Sequence, residues 1–185
     1  MDKPYRIAPL APPYSADVAQ SLHKWMPPGA AVEPLALFRT LARHPALSER
    51  MRPLGALFLG RRGSLTVRER ELVILRTGWL CQSDYEWGQH VGIGAGEGLT
   101  DEEMARNPAG LAADGWSAFD AVLLQAADEL VADHRLSDPT WAALSKRYDD
   151  QQMIELTLLV GNYVMVAGML NSIGVEREPG VPGFP

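Results

Sequence analysis

The sequence predicts an all-α protein, and the signals at its helix starts are the main reason. Three stretches have the form of a capping box, in which a hydroxyl and a carboxylate satisfy opposite free backbone amides. The boxes pair Thr66 with Glu69, Ser83 with Glu86 and Thr100 with Glu103. In addition, no stretch of five or more residues alternates cleanly between apolar and polar side chains, the pattern that indicates a half-buried strand.

The remaining elements follow in chain order from prolines, caps and apolar periodicity. Prolines interrupt both ends of the chain, so irregular tails are expected over residues 1–14 and 176–185. Ser137 precedes a first-turn proline, and Asp149 or Asp150 can cap a last long helix. The predicted helices cover residues 15–25, 33–43, 47–58, 66–80, 83–97, 100–107, 117–134, 139–147 and 150–172.

Length and composition indicate one all-α domain, 1–185, that needs no disulfide. A chain of 185 residues with 46 % hydrophobic side chains can bury a substantial core. Its single cysteine excludes an internal disulfide, a C-x-x-C redox pair and a multi-cysteine zinc site. The net charge of −6 argues against nucleic acid as a partner, because phosphate binding requires clustered cations.

One apolar stretch is long enough to cross a membrane. Residues 156–175 carry no charge, but they include three glycines and two asparagines, and we interpret them as a central buried helix. The first residues lack the basic start and apolar run of a signal peptide. We therefore expect a cytoplasmic protein without a membrane partner.

The helix that begins at Thr66 carries the first candidate site residue. Glu71 falls on an apolar stripe with Val67, Ile74 and Leu75. A carboxylate buried there needs a cation or a hydrogen-bond donor, or its pKa must rise. The alternative to a functional role is a glutamate that an arginine or backbone amides satisfy.

The next helix places Glu86 one turn before His90. A carboxylate in that position can orient an imidazole and bring its pKa toward neutrality, as acid–base catalysis requires. Structural roles remain the alternative, with Glu86 as a capping acid and His90 as a satisfied core histidine. The pair supplies only two ligands, so no metal is expected.

Four glycines lie in the same helix, where each costs about 0.8 to 1 kcal/mol relative to alanine. Gly88, Gly92 and Ala95 or Gly96 share one face and form a smooth ridge. The ridge predicts close approach of another helix or of a ligand.

Segments 65–75, 85–90 and 98–103 together resemble the carboxymuconolactone decarboxylase family, whose superfamily includes alkyl hydroperoxidase D. The matching core covers about residues 35–133. The resemblance implies an alkyl hydroperoxidase D-like helical bundle with a long antiparallel helix pair. It also implies a homo-oligomer, a trimer, hexamer or dimer, with sites near subunit contacts.

The resemblance transfers unevenly to individual residues. Hydroperoxidase members have a glutamate and a histidine at the places of Glu71 and His90, and reactive cysteines at the places of Ser83 and Glu86. Neither of the latter is cysteine here, and Cys81 lies two residues too early without a partner, which argues against thiol chemistry. Decarboxylase members have Glu and His at the places of Glu86 and His90, which implies acid–base chemistry.

We hypothesise a cofactor-independent, lyase-like enzyme that decarboxylates or transfers a proton on a small anionic, unsaturated or lactone-like molecule. His90 would deliver or remove the proton. Glu86 would orient and polarise the His90 imidazole, and Glu71 would complete the proton relay. Ser83 and Tyr85 are the candidate substrate-binding residues. Cations for an anion are available from arginines that we otherwise interpret mostly as a solvated, salt-bridged face: Arg61, Arg62, Arg68, Arg70 and Arg76.

Two other functions remain open. In one, the chain is a catalytically silent, oligomeric binding protein in which Glu71, Glu86 and His90 form a structural network. In the other, which is disfavoured, Cys81 supports a thiol-dependent, peroxidase-like activity. An open pocket beside His90 with a raised carboxylate pKa would favour the acid–base enzyme, whereas a closed, fully hydrogen-bonded cluster would favour the binding protein.

Overall fold

The computed structural model describes residues 5–27, 29–30 and 32–185, and over these residues the chain forms nine α-helices, one short 3₁₀ helix and no β-strand. The helices are α1 (Ala16–His23), α2 (Ala36–Leu41), α3 (Pro45–Leu59), α4 (Val67–Leu80), α5 (Asp84–Gly96), α6 (Asp101–Arg106), the 3₁₀ helix (Asn107–Ala112), α7 (Ala118–Ala132), α8 (Asp138–Leu144) and α9 (Asp150–Ile173). The predicted all-α class is confirmed.

Every predicted helix is present, and its ends differ from the prediction by no more than three residues. The 3₁₀ helix was not predicted. It contains Gly110 at φ +55°, where a Cβ would lie 2.5 Å from the guanidinium of Arg76, so only glycine fits. Residues 1–4 of the predicted N-terminal tail lie outside the described residues.

Helix α4 occupies the centre of the bundle. It is buried on all sides from Glu69 to Gly78 and packs against α5, α7 and α9. Helix α9 is long and apolar enough to cross a membrane by length and composition alone. However, α9 is buried on one face only, since Ile154, Leu158 and Met165 are more than half exposed. The prediction of a central buried helix thus applies to α4 rather than to α9.

Helices α4 and α5 form an antiparallel pair, because a three-residue turn connects them and their far ends also meet. A Cβ on Gly78 would lie 3.6 Å from the Trp87 backbone, and one on Gly94 would lie 3.7 Å from Cβ of Glu71. This is the long antiparallel pair that the family resemblance implies. It brings the two candidate helices face to face along their length.

The glycine ridge of α5 has a different neighbour from the predicted one. A Cβ on Gly88 would collide with Val181 and Pro182 of the C-terminal tail, so the close approach exists, but it is made by irregular chain. A Cβ on Gly92 or Gly96 would have nothing within 4 Å among the described residues, so for them the ridge stays a prediction. The tail that fills the space at Gly88 also packs Phe184 against aromatic rings of α4 and α5.

Two of the three predicted capping boxes are incomplete. Thr100 and Glu103 form the full reciprocal pair. Thr66 caps α4, but Glu69 reaches across to Tyr148 and Arg147 instead of back to the helix start. Ser83 makes no capping hydrogen bond. Tertiary contacts outweigh the local capping interaction for Glu69, whereas Glu86 makes neither a capping nor another hydrogen bond among the described residues.

Candidate functional site

A cavity of about 130 Å³ lies between the N-terminal helices α2 and α3 on one side and helices α5 and α9 on the other. An engineered cavity of about 150 Å³ lined by leucine, isoleucine and phenylalanine admits benzene, which gives the scale of molecule that would fit. The wall is mostly apolar, with Trp25, Leu35, Leu37, Phe38, Leu41, Met51, Phe58, Leu59, Ile93 and Val166. Its polar groups are Tyr85, Glu86, Gln89, His90, Asn162 and Tyr163.

His90 is oriented by Glu71, not by Glu86 as predicted. Its Nδ1 lies 2.6 Å from Oε2 of Glu71, whose other oxygen accepts from Nε of Arg70 at 3.0 Å. A carboxylate beside a guanidinium acts as an acceptor, so Nδ1 donates its hydrogen to Glu71, and in the neutral imidazole Nε2 is the basic nitrogen. Nε2 has no hydrogen-bond partner among the described residues, and His90 lines the cavity.

Glu86 is a buried carboxyl group without a partner. It is 3 % exposed, and neither of its oxygens makes a hydrogen bond within the described part of the chain. Burial raises its pKa to about 8, and the nearby Ser83 hydroxyl opposes only part of that increase. Glu86 is therefore largely protonated at neutral pH and can donate a hydrogen bond to a molecule in the cavity.

Helix α9 contributes two side chains that complete the polar part of the cavity. The ring of Tyr163 meets the His90 ring edge-on, with centroids 5.0 Å apart. Burial, followed by the negative charges of Glu71 and Glu86, raises the pKa of Tyr163 well above its ordinary value, so its hydroxyl stays neutral. Asn162 lines the cavity, whereas Glu155, two turns earlier on α9, accepts from Ser64, with its Oε2 2.6 Å from the hydroxyl.

The two candidate substrate-binding residues have different positions. Tyr85 lines the cavity, but its hydroxyl is already engaged, since it donates to Glu178 at 3.0 Å and accepts from the Leu37 amide at 3.2 Å. Ser83 is fully buried outside the lining, and its hydroxyl has no partner among the residues described. Sequence reasoning did not identify Tyr163, Gln89 or the N-terminal wall, because no local motif marks them.

The arginines that were considered for an anionic substrate are committed elsewhere. Arg61 pairs with Glu97, Arg68 with Glu103 and Asp120, Arg70 with Glu71, and Arg76 with Asp128. The described residues that line the cavity include no arginine or lysine. Four of the five are salt-bridged as interpreted, but Arg70 and Arg76 are buried, so the interpretation as a solvated face is wrong for these two.

Neither the thiol nor a metal cluster is placed at the cavity. Cys81 ends α4, is half-buried and does not line the cavity, and burial raises the pKa of its thiol. Over the described residues, no group of three or more His, Cys, Asp or Glu side chains is arranged to hold a metal ion.

The Glu71→Gln variant is expected to switch the tautomer of His90. The new amide oxygen can still accept from Arg70, and the amide nitrogen then donates to Nδ1, which moves the imidazole hydrogen to Nε2. Imidazole nitrogen NMR at neutral pH measures this directly, with exposed His134 as an internal reference. A hydrogen that remains on Nδ1 in the variant would contradict the assignment.

The model of the carboxymuconolactone decarboxylase family matches residues 39–129, a stretch that holds α4, α5 and the Glu71–His90 bond. Over these residues the chain matches this family. Among curated proteins, no sequence matches it.

Solved structures similar to this chain share its all-α, alkyl hydroperoxidase D-like fold. A peroxidase-related protein from Silicibacter sp. TM1040 superposes with a TM-score of 0.81 at 13 % identity, covering 100 % of both chains. An alkylhydroperoxidase AhpD core protein from Ralstonia eutropha JMP134 gives a TM-score of 0.78 at 19 % identity, covering 94 % of this chain and 93 % of the other. The debrominase Bmp8 gives 0.74 at 10 % identity, covering 94 % and 92 %.

Proposed function

We propose that the chain is a cofactor-independent acid–base enzyme that moves a proton on a small, neutral, unsaturated or lactone-like ring. The observation that carries this proposal is the pairing of a free imidazole nitrogen with a buried, protonated carboxyl group at one cavity. His90 Nε2 is a base without a partner, and Glu86 is an acid without a partner. Two such groups with opposite roles are the requirement for proton transfer at carbon.

The charge of the cavity supports a neutral substrate rather than the anionic one first expected. Transferring a carboxylate into an apolar pocket without a cation is costly, and the lining offers none. The substrate of a decarboxylation carries that carboxylate. Proton transfer without loss of carbon dioxide is therefore the form of the chemistry that the cavity favours.

Each polar side chain has a definite task in this mechanism. His90 Nε2 removes a proton from the carbon next to the unsaturated carbonyl system, while Glu71 holds the ring and stabilises the imidazolium that forms. The electron pair moves onto the carbonyl oxygen as a dienolate, to which the Glu86 carboxyl group donates a hydrogen bond. The His90 imidazolium then gives a proton either to another carbon of the dienolate or, after exchange with solvent, to the original carbon, and the neutral imidazole is restored.

The alternative of a catalytically silent binding protein is less well supported. A structural network would satisfy its members, yet both Glu86 oxygens are unpaired, which costs about 1 to 3 kcal/mol or more for such a group. The thiol alternative is weaker still because Cys81 lies outside the cavity lining. A neutral ring is also consistent with a similar structure, a cysteine-to-alanine variant of the debrominase Bmp8 in complex with 2,3,4-tribromopyrrole.

Butenolide, the parent five-membered unsaturated lactone, tests the proposal. Loss of its ring CH₂ proton gives a dienolate, so the protein in deuterium oxide should accelerate the exchange of that hydrogen for deuterium. Proton NMR follows the exchange, and heat-denatured protein is the control. Binding of butenolide at the cavity without any acceleration would favour the silent binding protein.

We also propose that the protein is cytoplasmic.

We further propose that a second copy of the chain covers the exposed face of α9. On that face Ile154, Leu158, Gly161, Met165 and Gly168 repeat at spacings of four and three, the pattern of a helix–helix seam. Nothing lies within 4 Å of a Cβ on either glycine, which leaves room for a partner backbone. Sedimentation equilibrium of the purified chain measures the mass, and a monomer at micromolar concentration would contradict the homo-oligomer.

A further inference from the structure

We propose that Glu178, in the C-terminal tail, is a positioning residue for the cavity. It joins three parts of the chain that are distant in sequence, namely α2, α5 and the tail itself. Its Oε1 accepts from the Ala36 amide at 2.6 Å and from the Tyr85 hydroxyl at 3.0 Å. Its Oε2 accepts from the side-chain amide of Gln89.

Helix α2 depends on these contacts because it cannot cap itself. It has six residues, too few for a helix to be stable on its own, and the preceding Leu35 has no side-chain acceptor. Glu178 accepts from the first helical amide, and the Tyr85 hydroxyl accepts from the amide of Leu37. A carboxylate at this end of a helix also interacts favourably with the helix dipole.

The same helix forms part of the cavity wall. Leu37, Phe38 and Leu41 of α2 line the cavity opposite His90, and Tyr85 and Gln89 line it from α5. Glu178 therefore contacts the first residue of one wall and two lining side chains of the other. If this carboxylate is lost, the two walls keep the hydrogen bond from the Leu37 amide to the Tyr85 hydroxyl at this edge but lose the three that Glu178 accepts.

The tail is held on α5 by contacts that do not involve Glu178. Asp84 accepts from Nε of Arg177 at 2.5 Å and from the Phe184 amide at 2.9 Å. The Phe184 ring packs against Trp79 with centroids 5.0 Å apart. Gly88 leaves the space that the tail backbone fills. Contacts with α5 thus fix the position of Glu178, and the hydrogen bond from Glu178 in turn fixes the position of α2.

Amide hydrogen exchange of residues 36–41 tests this role without any substrate. In Glu178→Ala, exchange of these amides should rise at least about tenfold, the factor expected when hydrogen bonds to a charged group are lost. In Glu178→Gln it should stay near the wild-type rate, because the amide oxygen can serve Ala36 and Tyr85 while Gln89 turns its own oxygen toward the new amide. The matched tail control is Glu176→Gln, which should change nothing.

A second variant separates the tail from the carboxylate. Gly88→Ala displaces the tail while Glu178 is intact, and it should accelerate exchange over residues 36–41 as Glu178→Ala does. Helix α7, residues 118–132, has no contact with Glu178 in the hydrogen-bond network and serves as the reference for global opening. Unchanged exchange at 36–41 in Glu178→Ala, or an equal rise in α7, would overturn the proposal.

Discussion

Replacing Glu86 with glutamine is expected to abolish a steep loss of stability with rising pH. The pKa of this carboxyl group is 4.5 in an ordinary environment and about 8 in the folded protein. Between these values the folded protein holds a proton that the unfolded chain has released, so the free energy of unfolding falls as pH rises. The stabilisation that the Glu86 proton gives the folded protein is complete below pH 4.5 and is lost above about pH 8. The expected slope is about 1.4 kcal/mol per pH unit.

Urea denaturation at several pH values between 5 and 8 measures this slope as the difference between wild type and Glu86→Gln, so other titrating groups cancel. The glutamine side chain cannot ionise. The free energy of unfolding of the variant, relative to that of wild type, should therefore increase toward pH 8. Glu49→Gln, at an exposed position on α3, is the control, and its free energy of unfolding should change with pH as that of wild type does. Parallel curves for Glu86→Gln as well would mean that the Glu86 carboxyl group is not protonated in the folded state.

Replacing His90 with glutamine or alanine is expected to reduce butenolide exchange by a factor of about 10² to 10⁴, the usual contribution of a positioned general base. The glutamine variant is the more informative one. Its amide nitrogen can still donate to Oε2 of Glu71, so the buried carboxylate keeps its partner and the melting temperature should change little. His90→Ala leaves Glu71 without that donor but should also fold, because Arg70 remains on the other oxygen.

The control for this experiment is His134→Gln, at an exposed position after α7, which should exchange butenolide at the wild-type rate. If His90→Gln keeps the wild-type exchange rate, His90 is not the base. If it unfolds instead, the histidine is a core residue whose ring the bundle requires, and the silent binding protein gains support.

The three ionisable residues of the candidate site could be singled out from the sequence, but their partners could not. Glu71 stands out as an ionisable group on an apolar helical stripe, and Glu86 and His90 stand out as a carboxylate one turn before an imidazole. Helical spacing alone pairs Glu86 with His90. In the structure, His90 turns toward α4 and bonds Glu71, and Glu86 is left alone. Which of two carboxylates an imidazole meets depends on the rotation of α5 about its axis, and packing against α4 and the tail decides that rotation.

The charge of the cavity and its walls were also decided by tertiary structure. Arginines between Arg61 and Arg76 looked available to an anion, but carboxylates from α6 and α7 bind two of them, and those carboxylates lie 35 to 52 residues away in the chain. Trp25, Phe38 and Glu178 lie in segments that carry no motif, and they reach the site only because the chain ends fold over α5.

The sequence by itself determined the helices, because caps, prolines and apolar periodicity act over a few neighbouring residues, and it determined that no second thiol is present. The tertiary structure alone decided which helix is central, which carboxylate orients His90 and which stays protonated. It also decided that, within the described part of the chain, no arginine or lysine lines the cavity. Those outcomes depend on the register and rotation of packed helices, which the packing of the whole chain determines and no local pattern encodes.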